Sequence, residues 1–405
     1  MFLLAAALVF GSLSPPAREI LSRAGIDERS FPGFVRSIQA EAARREREGE
    51  QEHLVYFMLQ SASFTKLPKI EPALSAREWK AGGGLVPEVV RRRVAAFLAS
   101  PVRGERMRYL RSILPRENAH GFVLGEYSRT MAVLYGKEFG QAADFYQTRG
   151  HSTDTSVAAN YAVWSALRVL KAMHPALRLE RVLVIGPGLD FAPRTGLDER
   201  YEPQSYQPFA IADALYGLEL AKLPKIDCLD INARVVRFFE DFRGRPRAEL
   251  RLTTMPGDED YMRYFRSLGK SSGTIKGDGK GDGLEKTLTL RPDIVRSITA
   301  ARGNIVTDPP PAKYDLVIAT NILVYCKDPE LLLAMSNIAA SLKSGGYFLT
   351  NEIRPVMDIY SEATGLTPEQ ARTLLVARGA NAPLYDSFAI YSKMPDNVDT
   401  FLRLK

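Results

Sequence analysis

The chain has 405 residues, 45% of them hydrophobic and 25% charged, with a formal net charge of +7. That length can bury a sizeable core, and roughly 100–200 residues per domain points to two or three domains. The composition is that of an ordinary globular protein, which excludes collagen-like, disulfide-framework and wholly disordered classes. The two cysteines, Cys228 and Cys326, make no CxxC or Cys/His spacing, and His53, His120, His151 and His174 are scattered. No metal site is expected.

Phe2 to Leu13 is apolar apart from Gly11 and Ser12. It is far shorter than the roughly 20 residues that span a bilayer, so no transmembrane span is expected. One reading is a short buried N-terminal helix. The other is a signal-peptide core over residues 1–14, with Ser12-Leu13-Ser14 as a small-x-small site; no Lys or Arg precedes it, and Pro15 and Pro16 follow. Residues 1–150 read as a mainly helical N-terminal domain. Phe34 to Gly49 alternates in charge sign, as an exposed helix face does, and His53 to Leu59 is apolar enough for core. Pro87 opens a helix with Val89, Val90, Val94, Phe97 and Leu98 on its apolar side. Arg91, Arg92, Arg93, Arg103, Arg106, Arg108 and Arg111 make this stretch basic. It reads as a solvated face or as a docking surface for an acidic partner.

From His151 onward, short β-branched runs alternate with helical patterns, the sign of βαβ units and a parallel sheet. The expected strands are 181–185, 226–230, 294–301, 315–319, 347–350 and 387–391. Asp328 is expected to cap a helix with Pro329 and Glu330 in its first turn and Leu331, Met335, Ile338 and Leu342 as its apolar stripe. Thr367-Pro368-Glu369-Gln370 fits a capping box, hence another helix start. Residues 266–290, with the Gly- and Lys-rich run Lys270 to Lys286, read as a flexible insertion. Asp278 to Gly283 superficially looks like a calcium loop, but Lys280 and Thr289 stand where ligands are required.

Gly186-Pro187-Gly188 directly follows the first expected strand. Glycines there let the backbone turn sharply and approach a ligand with no Cβ in the way. Asp230 closes the second strand, where an acid can accept hydrogen bonds from both ribose hydroxyls of a nucleoside or cap the following helix. Asn304 follows the third strand, and its amide can meet an adenine edge. Asn321 ends the run Lys313 to Asn321, a buried strand with polar groups at its C-terminal end, the edge where open α/β sheets bind ligands.

Together these residues resemble the class I S-adenosylmethionine-dependent methyltransferases over about 151–394. The most specific stretch is Tyr314 to Glu352, YDLVIATNILVY through LKSGGYFLTNE. The resemblance implies a Rossmann-like, mostly parallel seven-stranded α/β sheet flanked by helices over 151–405, following the helical N-terminal domain. It implies S-adenosyl-L-methionine as cofactor, with Gly186, Gly188, Asp230, Asn304 and Asn321 as cofactor-binding residues. Asn321-Ile322-Leu323-Val324-Tyr325 is similar to a run in the bacterial CheR-type glutamate methyltransferases, and Tyr206-Gln207-Pro208-Phe209 loosely resembles their E-P-Y-S segment. Thr320 stands where an Arg is usual there, and Asp190 replaces the third glycine of the glycine loop.

Methyl transfer to a carboxyl or other oxygen acceptor, on a protein or a small molecule, is the expected activity. A carboxylate is already ionised and needs no base. Asn321 and Tyr325 are the candidates that line the acceptor side. Two alternatives stand beside it: a degenerate binding or scaffold protein without turnover, and a nucleic-acid methyltransferase that uses the basic stretch. Asp308-Pro309-Pro310-Pro311 lies before the fourth strand and is not the D-P-P-[YFW] of amino-group methyltransferases. The cofactor is cytosolic, so a cytoplasmic location is expected, with export the alternative if residues 1–14 are a signal peptide.

Overall fold

The computed structural model describes residues 8–62, 64–70, 73–139, 145–190, 201–277, 284–379 and 383–394. The chain forms two compact units: Met1–Glu41 with Thr155–Gly188 and Ser205–Lys405, and Ala42–Asp154 with Leu189–Gln204. This differs from the single break near 150 that the change of pattern suggests. The first 41 residues carry the reason. Leu8, Leu13, Ala17, Leu21, Phe31 and Ile38 are buried in one core with Leu183, Val317 and Phe348. The Ser14 hydroxyl caps the Pro15–Arg23 helix and donates to the Ala363 carbonyl at 2.5 Å.

The second unit is helical. Its elements are the part of the Phe31–Gln60 helix from Ala42 on and the Glu88–Ala99, Gly104–Ile113 and Ala119–Phe139 helices. Leu54, Phe57, Val90, Val94, Phe97, Leu110, Val123 and Tyr127 are its core. Three of the seven arginines of the basic stretch are consumed inside this unit. Arg93 is buried and donates to the Ser61 and Pro68 carbonyls. Arg106 is buried and donates to the Asp190 and Tyr201 carbonyls at 2.8 and 2.5 Å. Arg111 donates to Phe97, Leu98 and Ser100, the orphan carbonyls at the end of the Glu88–Ala99 helix. Arg91, Arg92, Arg103 and Arg108 stay exposed.

The first unit is built on a sheet. Its strands are β1 (Arg181–Ile185), β2 (Lys225–Asp230), β3 (Glu249–Thr253), β4 (Gly273–Lys276), β5 (Glu285–Leu290), β6 (Ile298–Arg302), β7 (Tyr314–Ala319), β8 (Leu342–Thr350), β9 (Leu366–Arg378) and β10 (Pro383–Lys393). Seven of them run in the order β6-β2-β1-β7-β8-β10-β9, and β3-β5-β4 form a small second sheet. β6, β2, β1, β7 and β8 are parallel; β10 is antiparallel to both β8 and β9. The expected Rossmann-like, mostly parallel seven-stranded sheet is present. Val182 to Ile185 and Leu316 to Ala319 are buried without alternation, as strands covered on both faces must be. No helix among the described residues is long and apolar enough to cross a membrane.

Four local expectations are corrected. Thr367 to Gln370 lies at the start of β9 rather than in a helix, because β10 pairs along it, with a register shift that skips Glu369, and β9 is an edge strand, where Pro is tolerated. Residues 294–301 begin as the Pro292–Ser297 helix, with Pro292 at its start, and only then become β6. The Asp328–Ser341 helix has Lys327, not Asp328, as N-cap: Glu330 accepts from the Lys327 N–H at 2.9 Å, while Asp328 pairs with Arg354. The supposed insertion at 266–290 supplies β4 and β5; residues 278–283, and with them the calcium-like run, lie outside the described residues. Lys286, Leu288 and Leu290 alternate as the buried face of β5. The Lys286 ammonium donates to the Phe265 and Leu268 carbonyls at the end of the Glu259–Ser267 helix, and burial pushes its pKa down to about 8.

Replacing Arg93, Arg106 or Arg111 by Met should destabilise the protein by about 1–3 kcal/mol each, since buried carbonyls lose charged donors. Met at Arg91, Arg92, Arg103 or Arg108 should stay within about 0.5 kcal/mol of wild type. Chemical unfolding of the seven variants separates the two groups; equal effects would contradict this division of the arginines.

Candidate functional site

In open α/β sheets the strand order reverses at one point, and ligands bind outside the carboxyl ends of the strands there. Here the reversal falls between β1 and β7. The residues that leave those ends are Gly186 after β1, Asp230 at the close of β2, Gly303 and Asn304 after β6, Thr320 and Asn321 after β7, and Asn351 and Glu352 after β8.

The glycine bend is sterically fixed. Gly186 has φ +62° and Gly188 φ +72°, values that side chains disfavour. A Cβ on Gly186 would lie 2.1 Å from Cδ1 of Ile322. The Gly186 N–H donates to the Leu229 carbonyl at 2.8 Å, and the Gly303 N–H donates to the Asp230 carbonyl at 2.9 Å. Backbone hydrogen bonds therefore continue past the ends of β1, β2 and β6. The three loops expected to hold a nucleoside are tied to one another.

Asp230 is buried, and its Oδ1 accepts the Asn232 N–H at 2.8 Å. Capping of the next helix falls to Asn232, which accepts from Arg234 N–H. The helix-cap role weighed for Asp230 therefore falls to Asn232. Asn304 is half-buried; its Oδ1 accepts the Val306 N–H at 3.0 Å. Its own N–H donates to Oδ2 of Asp308 at 2.8 Å. Asp308, from the dismissed D-P-P run, is a loop anchor.

On the other side of the reversal, Asn321 is exposed and has φ +57°, a left-handed conformation that Asn tolerates better than most residues. Asn351 holds it twice. The Asn321 N–H donates to Asn351 Oδ1 at 2.8 Å, and Asn351 Nδ2 donates to Asn321 Oδ1 at 3.1 Å and to Asp386 Oδ1 at 3.3 Å. Burial raises the Asp386 pKa. Tyr325 closes the short turn Leu323–Tyr325 and is half-buried. Behind Asn321, Gln207 donates to the Thr320 hydroxyl at 2.7 Å, both side chains being buried. The residue that stands in place of an Arg in the motif thus has a polar partner from the Tyr206–Phe209 run.

Glu352 is the residue that sequence reasoning passes over. Its Oε1 accepts the Leu323 N–H at 2.9 Å, while Oε2 is enclosed and without a hydrogen-bond partner. Burial pushes its pKa up to about 8, against the pull of the Ile322, Leu323 and Val324 backbone and of Arg354. Arg354 itself is engaged by the Cys326 carbonyl at 2.8 Å and by Asp328 at 2.6 Å. Glu352 and Asn351 both lie in the T-N-E end of the quoted motif, so their position was legible although their roles were not.

No family model matches the chain. An uncharacterized 104.1 kDa protein from Rhodobacter capsulatus, in the hypE 3′ region, is 29% identical over 98 residues, 24% of this chain. The match spans only 10% of that protein's length. Among solved structures, the chain is similar to the N-methyltransferase NodS from Bradyrhizobium japonicum in complex with S-adenosyl-L-homocysteine: 12% identity, 60% of this chain and 90% of that one, TM-score 0.31. A TehB-like SAM-dependent methyltransferase from Corynebacterium glutamicum gives 13% identity, 59% and 89% coverage and a TM-score of 0.30. A putative sarcosine dimethylglycine methyltransferase from Galdieria sulphuraria gives 11%, 57% and 84%, and 0.31. Scores this low add nothing to what the chain's own strand order establishes about the fold.

Gly186→Ala should destabilise the protein by about 1–3 kcal/mol, from φ strain and the overlap with Ile322. Adding Ile322→Ala should recover part of that loss in chemical unfolding; an additive double variant would contradict the contact. Glu352 has a second consequence. In the folded chain it stays protonated up to about 8, against an ordinary 4.5, so the folded state binds more protons between those values. Its stabilising share is present below about pH 4.5 and is lost as pH rises through about 8. The thermal midpoint should fall less over that window in Glu352→Gln than in wild type; parallel curves would show an ordinary carboxyl.

Proposed function

We propose that the chain is an S-adenosylmethionine-dependent methyltransferase. The observation that carries this is the linked edge: the Gly186 bend, the buried acid that closes β2 and the Asn304 loop, joined by the Gly186–Leu229 and Gly303–Asp230 hydrogen bonds. The sheet supports it. A dinucleotide-binding sheet of order 3-2-1-4-5-6 continues in parallel. Here the antiparallel β10 stands between β8 and β9. A mostly parallel seven-stranded sheet is what the resemblance to class I methyltransferases implies.

The residues fit the cofactor in kind. The Gly186–Gly188 bend, whose Cβ side at Gly186 is taken by Ile322, would meet the methionine part through its backbone. Asp230 would accept from the ribose hydroxyls. Asn304, whose Oδ1 is already engaged, would meet adenine through its amide nitrogen and loop backbone. The sulfonium supplies an already activated methyl group, so the protein's work is to bind, orient and exclude water. Asn321 and Tyr325 would face the acceptor, with Asn351 positioning Asn321. The CheR-type likeness rests on Asn321–Tyr325 and the Tyr206–Phe209 run, with Thr320 in place of Arg.

The nucleic-acid alternative loses ground because Arg93, Arg106 and Arg111 are spent on backbone carbonyls. The scaffold alternative is separated by binding and turnover. Calorimetric titration should show S-adenosylhomocysteine binding to wild type and weakening by roughly tenfold or more in Asp230→Ala, the worth of one or two hydrogen bonds to a charged acceptor. Failure of wild type to bind would overturn the reading.

A further inference from the structure

A carboxylate acceptor would meet an edge that already carries carboxyls. Beyond β8 the chain places Glu352, and Asp386 joins the same edge through Asn351. The nearby cation, Arg354, is committed to the Cys326 carbonyl and Asp328, and among the described residues no ion pair includes Glu352. A second carboxylate brought to this place would be disfavoured by the same burial that raises the Glu352 and Asp386 pKa values. A proton-bearing nucleophile would not.

Glu352 also has an unused atom. Oε1 is engaged by the Leu323 N–H in the turn that follows Asn321. Oε2 is, among the described residues, the one carboxyl oxygen that is enclosed and unpartnered. A glutamate that served only to hold the turn would need only Oε1, a bond that glutamine makes equally well.

We propose that the Glu352 carboxylate is the base that takes a proton from a protic methyl acceptor, an N–H or O–H nucleophile, in place of the carboxylate nucleophile that the sequence resemblance implies. This rests on the methyltransferase reading above. The acceptor's lone pair forms the new bond to the methyl carbon as the carbon–sulfur bond breaks toward sulfur. The proton that the nucleophile gives up goes to Oε2, directly or through one water, and from there to solvent. A base is most effective when its pKa lies near the working pH, and burial has moved Glu352 that way, with the Ile322–Val324 backbone and Arg354 opposing.

The test uses the full chain, radiolabelled S-adenosylmethionine and fractionated lysate, with wild type and Glu352→Gln compared at equal S-adenosylhomocysteine affinity. Labelled product should survive alkali, as N-methyl and ether bonds do and carboxyl methyl esters do not. Transfer by Glu352→Gln should fall by roughly a hundredfold or more, the range for a general base. Infrared titration of the unliganded protein should show a neutral carboxyl band that persists at neutral pH and is missing from Glu352→Gln. Label released as methanol by alkali would overturn the proposal and leave the methyltransferase reading intact. So would undiminished transfer by Glu352→Gln, or absence of the infrared band. Loss of S-adenosylhomocysteine binding by wild type would remove the reading beneath it, and binding with no labelled product in any fraction would overturn both in favour of a scaffold.

Discussion

The contact between Gly186 and Ile322 constrains everything else at the carboxyl edge. An added Cβ would lie 2.1 Å from the isoleucine Cδ1, so only glycine fits at the end of β1. The isoleucine comes from the turn after β7, the neighbour of β1 at the point where strand order reverses. Close approach of these two turns fixes where the glycine bend sits relative to Asn321. It also leaves the Gly186 N–H free to extend the ladder to Leu229 rather than to close a turn of its own.

The edge then divides chemically. On the β1–β2–β6 side are a bare backbone bend, one buried acid and one amide, suited to a nucleoside. On the β7–β8–β10 side are Asn321, Asn351, Glu352 and Asp386, a set rich in acceptors and enclosed carboxyls. Asn321 holds a left-handed conformation because Asn351 clasps both its backbone and its side chain. Strain of this kind persists only where neighbours over-determine it, and it concentrates at working sites.

Much of the sheet was legible because buried parallel strands are continuous apolar runs. Val182–Ile185 and Leu316–Ala319 announce themselves, and the positions of Gly186, Asp230, Asn304 and Asn321 follow from counting to their ends. Where reading failed, tertiary pairing outweighed local chemistry. Thr367–Gln370 carries a helix start yet pairs with β10, and the Gly- and Lys-rich stretch hides the Lys286-Leu288-Leu290 alternation that makes β5. The arginine stretch looks like a surface, but Arg93, Arg106 and Arg111 find carbonyls distant in sequence. Glu352 has no local signature at all. Its character comes from burial and from a turn 29 residues earlier, which no window on the sequence contains.

Hydrogen–deuterium exchange with and without S-adenosylhomocysteine tests the central claim most directly. Protection should concentrate in three separated segments: the loops that follow β1, β2 and β6, around Gly186, Asp230 and Asn304. Protection centred in the helical unit or on the β9–β10 hairpin, with those three loops unchanged, would contradict a nucleoside site at this edge.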